Sequence, residues 1–253
     1  MSFTVPPGAY DRFMGRYSVQ LGPQLADLAG IVPGLRVLDV GCGPGALVAE
    51  LVARVGEGSV VAVDPSEPFV EAARERFPGV EVHRASAESL PFPDAGFDAA
   101  LAQLVVHFMA DPVGGIREMA RVTRPGGVVA ACVWDHAADQ GPLTPFWLAV
   151  RELDPEAADE SGFAGAREGH LTELFVEAGL QDVTETALTS RVEHVTFDAW
   201  WELFMYGIGP SGAYATGLDD DRRAELREVC RRLLGDGPFE IAARAWAARG
   251  LAS

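Results

Sequence analysis

From residue 36 onward, short β-branched runs that end in Gly, Asp or Pro alternate with stretches of helical periodicity, and this is the rhythm of βαβ units. Residues 36–40, 59–63, 80–84, 97–103 and 128–134 read as strands, the last apolar on both faces as in a central parallel strand. Helices are expected at 46–55, 66–77 and 116–122, the last stopped by Arg124-Pro125-Gly126-Gly127. Beyond Trp134 the pattern loosens. Residues 135–169 are polar and punctuated by Gly and Pro, with one helix near 145–153. A helix at 171–178, strand-like stretches at 183–195, an aromatic run at 197–206, a loop at 207–217, an amphipathic helix at 219–234 and a strand at 239–247 complete the reading. No repeat or linker divides the chain. The expected fold is a single α/β unit, a doubly wound and mostly parallel sheet with helices on both faces.

Composition narrows the function. With 253 residues, 48% of them apolar, the chain can bury a real core without disulfide or metal staples. No apolar run reaches the ~20 residues a membrane helix needs. The balance of 20 basic and 37 acidic residues, a net charge of −17, repels polyphosphate, so neither nucleic acid nor membrane is expected as a partner. The opening Met-Ser-Phe-Thr-Val-Pro-Pro-Gly has neither a basic nor an apolar signal region, so a cytoplasmic location is expected. Cys42, Cys132 and Cys230 are far apart, as reduced thiols would be, and no Cys or His pair has zinc-ligand spacing, so no metal is expected.

The densest signal is Val37-Leu38-Asp39-Val40-Gly41-Cys42-Gly43-Pro44-Gly45, a strand entering a turn of alternating glycines before a helix. Glycine permits positive φ and close ligand approach, and the helix start offers free N–H groups. Gly41, Gly43 and Ala46 also fit a dinucleotide fingerprint. Asp39 separates the two readings. A carboxylate there would repel a pyrophosphate and attract an ammonium group. Asp64 ends the next strand, where a carboxylate can accept both ribose hydroxyls. The pair outlines a nucleoside that carries an amino group; a loop cap at Asp39 and an ordinary turn at Asp64 are the bland alternatives.

These motifs resemble those of class I S-adenosylmethionine-dependent methyltransferases of the small-molecule group. The resemblance covers most of residues 10–127 and also rests on Val63-Asp64-Pro65-Ser66, on the stretch from Ala85 to Phe92, on Phe97-Asp98 and on Arg117 to Val122. It implies a Rossmann-like fold, S-adenosylmethionine as co-substrate and methyl transfer to a small organic acceptor. It also implies that Asp39 with Gly41, Cys42, Gly43 and Gly45 holds the methionine end, and that Asp64 with Pro65 and Ser66 holds the ribose. Ser86 and Ala87, with Glu88 beside them, would face the adenine, while Gln103 and Leu104 close over the methionine part. Ser86 stands where the group commonly has Asp, so that contact lacks charge assistance. Tyr10, Arg16 and Tyr17 resemble part of a lid helix in which Arg16 meets the cofactor carboxylate; packed tyrosines and a solvated Arg16 are the equal alternative.

Methyl transfer needs a base only where the acceptor must shed a proton. His107, after the fourth strand, and Asp135 with His136, after the fifth, are the catalytic candidates on the carboxyl edge. Residues 135–170 and 196–235 are expected to be inserted into this one domain as the substrate pocket, around a cofactor-binding core at 31–134 and behind lid helices at 1–30. The aromatic run is either pocket wall, buried helix or dimer contact; a monomer or homodimer is expected. A nicotinamide-dependent oxidoreductase and a non-methylating binder of S-adenosylmethionine are the rival functions.

Overall fold

The computed structural model describes Gly8 and residues 11–253, so Tyr10 lies outside the described residues. Seven strands form one sheet: β1 (Val37–Val40), β2 (Val60–Asp64), β3 (Glu81–Arg84), β4 (Phe97–Gln103), β5 (Thr123–Trp134), β6 (Gln181–His194) and β7 (Phe239–Leu251). Their order is β3-β2-β1-β4-β5-β7-β6, parallel from β3 to β5, with β7 antiparallel between β5 and β6. β1 and β2 are buried at every position, which explains their unbroken β-branched and apolar character.

The helices are α1 (Arg16–Leu28), α2 (Ala46–Val55), α3 (Glu67–Arg76), α4 (Pro112–Val122), α5 (Thr144–Leu153), α6 (His170–Glu177), α7 (Phe197–Trp201), α8 (Gly209–Gly217) and α9 (Asp220–Leu234). Strand side chains alternate between two cores. Leu101, Ala130 and Cys132 face the layer built on α1, α2 and α5, while Ala100, Val129 and Ala131 face α4 and α6. Each fully buried Leu, Ile or Phe in these layers contributes up to about 1.5–3 kcal/mol.

α1 buries Tyr17, Leu21 and Leu25 on one face and turns Gln20 and Gln24 outward. Those two glutamines grip the free edge of β6. Gln20 accepts the Arg191 N–H (3.0 Å) and donates to the Arg191 carbonyl (2.8 Å), and Gln24 does the same at Thr189 (3.1 and 2.8 Å). Arg16, one turn earlier, donates to the Glu193 carbonyl. The side-chain amides thus stand in for the missing strand neighbour and close an edge that would otherwise expose unpaired backbone. This places Arg16 on the outer rim of the sheet rather than near a cofactor carboxylate. Tyr17 is buried against His194, with its hydroxyl 2.9 Å from Nε2.

Two further expectations change. Residues 207–217 are mostly helix, α8, rather than loop, because Gly209–Gly217 packs small residues against the turn at Glu202–Tyr206. The aromatic run is neither pocket wall nor open surface. Phe197, Trp200, Trp201 and Phe204 are buried, Phe204 stacks on Phe146 at 4.5 Å, and Tyr206 alone of the five is exposed.

Candidate active site

The carboxyl ends of the parallel strands meet at the turn after β1. Gly41, Gly43 and Gly45 have φ of +73°, +54° and +98°. At Gly41 a Cβ would come within 2.5 Å of the Val105 side chain, and at Gly45 within 2.4 Å of the Phe77 ring. Both space and backbone sign therefore demand glycine. The Gly41 and Cys42 N–H groups donate to the Val63 carbonyl at 2.8 and 2.9 Å, which pins the turn to the end of β2.

Asp64 accepts the Gly43 N–H at 2.9 Å through one oxygen and the Ser66 N–H at 2.8 Å through the other. It is a brace for the glycine turn as well as a wall of the cleft. Burial raises its pKa and the two N–H donors pull the other way. Asp39 is different. It is 1% exposed, and neither carboxylate oxygen has a hydrogen-bond partner. Burial first, then the charge of Asp64, push it up to about 8. The amide of Gln103 lies on the same small pocket of about 30 Å³, which is also lined by Ser18, Cys42 and the glycine turn. Gln103 Nε2 donates to the Ser18 carbonyl at 3.0 Å, while its Oε1 is buried without a donor. Three orphaned acceptor oxygens around one pocket fit a ligand ammonium group.

Beside this pocket opens a cleft of about 340 Å³, the size of a small-molecule site. Gly41, Gly43, Asp64, Pro65, Ser66, Ser86, Ala87, Glu88, Gln103 and Leu104 all line it, so ten of the sequence candidates meet there. Asp39 and Cys42 lie on the adjoining pocket, and Gly45 sits at the start of α2 beneath the turn. Glu88 also accepts the Ala110 N–H at 2.8 Å, folding the loop after β3 over the segment after β4. Sequence reasoning missed Phe69, Val105, Phe108 and Met109, which give the cleft its apolar sides. The run Val105–Met109 directly after Gln103 was the available signal. Among the described residues lining cleft and pocket there are acids but no arginine, and the chain has no lysine, so a pyrophosphate would find no countercharge.

Leu104 and Phe108 also line a second, tighter chamber of about 40 Å³. Leu104 has φ +61°, a left-handed backbone held by its N–H bond to the Cys132 carbonyl at 2.9 Å. The chamber draws on distant segments: Phe13 and Met14 from the turn before α1, His107, Trp134 and His136, Leu143 and Glu160, and Ile208 to Ser211. His107 Nδ1, His136 Nε2, Trp134 Nε1 and Ser211 Oγ are buried without partners. The two imidazole rings are 6.4 Å apart. Burial lowers His107 to about 3, with His136 adding to the effect, and lowers His136 to about 4 against the opposing charges of Asp159 and Asp135. Both rings are neutral at pH 7.

Asp135 does not line the chamber. One of its oxygens receives two Arg244 N–H groups at 2.8 and 2.5 Å, and the other accepts the Ala138 N–H at 3.3 Å. It anchors the chain leaving β5 to β7. Among the described residues no His, Cys, Asp and Glu cluster could hold a metal ion, and no helix is long and apolar enough to cross a membrane.

Comparison with known proteins matches this geometry. A family model described as a methyltransferase domain matches residues 38–131, from β1 into β5. An uncharacterised protein of Mycobacterium bovis is 28% identical over 246 residues, 92% of this chain and 88% of that one. A demethylmenaquinone methyltransferase of Desulfitobacterium hafniense is 32% identical over 130 residues, 49% of this chain and 51% of the relative. The chain spans about half the length, or less, of the curated relatives that exceed 30% identity. In fold it is similar to a Haemonchus contortus phosphoethanolamine N-methyltransferase solved with S-adenosylhomocysteine, at a TM-score of 0.60 and 15% identity over 98% of this chain and 57% of that one. Residues 38–131 thus match a methyltransferase domain, and the fold of the chain as a whole is similar to that of a solved methyltransferase.

Proposed function

We propose that the protein transfers a methyl group from S-adenosylmethionine to a small organic acceptor held in the chamber, and that the cleft and its adjoining pocket hold the cofactor. The observation that carries this reading is the unpartnered carboxylate of Asp39 beside the orphaned Gln103 Oε1, two acceptors that suit the ammonium of the methionine moiety. Asp64 would take the ribose, and Ser86, Ala87, Phe69 and Met109 would enclose the adenine. When bound, the cofactor supplies an electrophilic sulfonium methyl.

The chain's own part is alignment and exclusion of water. Leu104 and Phe108 line both cavities, so the two reactants would meet beside them. The chamber's residues come from the lid segment and from both regions expected as insertions. His107 and His136, neutral at pH 7, would offer hydrogen bonds to the acceptor.

Titration calorimetry with S-adenosylmethionine, S-adenosylhomocysteine and NAD tests the reading. The first two are expected to bind and NAD to bind far more weakly. Asp64→Ala should weaken S-adenosylmethionine about 10- to 100-fold, the worth of hydrogen bonds to a charged group. Unchanged affinity would remove Asp64 from the ribose site.

A further inference from the structure

We propose that the chamber, of about 40 Å³, accepts the N–H or O–H end of a small apolar molecule that bears no anionic group, and that the proton this heteroatom sheds passes to Glu160. The proposal rests on the methyl-transfer reading and adds the acceptor class and the proton's destination.

Glu160 lies on the chamber wall and is 4% exposed. Its Oε2 accepts the indole N–H of Trp147 at 2.7 Å, and Trp147 is itself fixed by ring contacts with Phe146 and Tyr214. Its Oε1 has no hydrogen-bond partner among the described residues. One oxygen is anchored, the other free, and a buried carboxylate with a free oxygen is a receptor for a proton donor.

The surrounding charges set which donor. Asp159, next in the chain, is held by Arg151 at 2.7 Å, and Arg151 is further committed to Asp139 at 2.6 Å. Across the chamber stand only the neutral His107 and His136, and Tyr214 lies behind Trp147. No arginine lines the chamber. An acceptor carboxylate or phosphate would therefore meet Glu160 without a countercharge, whereas a neutral or cationic donor would be matched. Aromatic and aliphatic walls from Phe13, Phe108, Trp134, Leu143 and Ile208 require an apolar body.

Among the titratable groups lining the chamber, Glu160 is the one tuned for this role. Burial and Asp159 raise it to about 7 while the Trp147 N–H opposes them, whereas both imidazoles lie far lower and are weak bases. In the transfer, the heteroatom's electron pair forms the bond to the methyl carbon and the carbon–sulfur pair remains on sulfur. The heteroatom's proton moves to Glu160 Oε1 and then to solvent.

Calorimetry on the protein loaded with S-adenosylhomocysteine, using benzylamine, phenol and benzoate as probes, tests the claim. Benzylamine and phenol are expected to bind at least tenfold more tightly than benzoate. Benzylamine affinity should rise as pH increases through about 7, where Glu160 ionises. Glu160→Gln should lose both the preference for benzylamine and the pH limb, while its affinity for S-adenosylhomocysteine stays within twofold of wild type. In wild-type protein labelled with 13C-glutamate, one side-chain carboxyl should titrate near pH 7, a measurement that needs no variant.

Benzoate binding as tightly as benzylamine, or no glutamate carboxyl titrating above about pH 6, overturns this proposal alone. Failure of wild-type protein to bind S-adenosylhomocysteine overturns the methyl-transfer reading, and this proposal with it.

Discussion

The cleft and the chamber share Leu104 and Phe108 but are built on opposite plans. The cleft is made of consecutive strand ends in the parallel half of the sheet, so each wall is a short local segment: the turn after β1, the acid ending β2, the loop after β3 and the exit from β4. The chamber is assembled from segments near residues 13, 107, 136, 160 and 210, which the fold alone brings together. In the cleft Asp64 and Glu88 are satisfied by backbone while Asp39 and Gln103 beside it keep three unpartnered oxygens, and the chamber keeps four buried polar atoms without partners. The lesson is that both halves keep unpartnered groups for a ligand to complete, but the cleft is braced by consecutive strand ends whereas the chamber depends on distant segments.

The largest expected effect tests that bracing. Gly45→Val puts a β-branched side chain at φ +98° against Phe77 and should destabilise the protein by about 3 kcal/mol or more in urea unfolding. Gly209→Ala, on the chamber, has φ +64° and open space around the added Cβ, so it should cost only about 1–2 kcal/mol. Equal losses would erase the contrast.

Asp135→Asn probes a residue beside the chamber that belongs to the framework. Weakening its bond to Arg244, whose side chain is 36% exposed, should cost about 1–2 kcal/mol of stability after allowance for solvent screening. Turnover measured well below the new melting temperature should change less than threefold. A loss of turnover with stability intact would return Asp135 to the reacting groups.

The smallest effect is one of sign. His107 and His136 are lowered in the folded protein to about 3 and 4, so their contribution to stability is present in full above the unfolded value near 6.5. It is lost as pH falls from there toward 4, because only the unfolded chain takes up the protons. Asp39 is raised to about 8, so between the ordinary carboxylate value of 3.8 and 8 its contribution falls as pH rises. His136→Gln should flatten the acid side of the stability profile and Asp39→Asn the neutral side, each on the order of 1 kcal/mol. Both variants acting on the same limb would contradict the burial assigned to them.

The same division decides what could be read from the sequence. Asp39, the glycines and Asp64 were legible because a strand, a turn and a helix start must follow one another, and glycine at positive φ leaves a mark in the letters. The fold followed from the same rhythm, apart from element ends and α8, whose glycines and prolines disguise a helix stabilised by packing. Glu160 left no comparable mark. It lies in a Gly- and acid-rich loop, and only the tertiary structure reveals that this acid, unlike its neighbour Asp159, is buried. Asp135 shows the converse: its place after β5 on the carboxyl edge is legible, but its bond to Arg244, over a hundred residues away, is not. The aromatic run was equally ambiguous, since large rings suit a ligand wall and a core alike.

The glutamine pair of α1 has a consequence for how the molecule behaves in company. Gln20 and Gln24 occupy the positions that an incoming strand from another chain would use on β6, and the helix bearing them leads directly from Phe13 and Met14. A foreign strand could dock there only by prising away the roof support of the reaction chamber. One pair of amides thereby ties the covering of a sheet edge to the segment that lines the chamber.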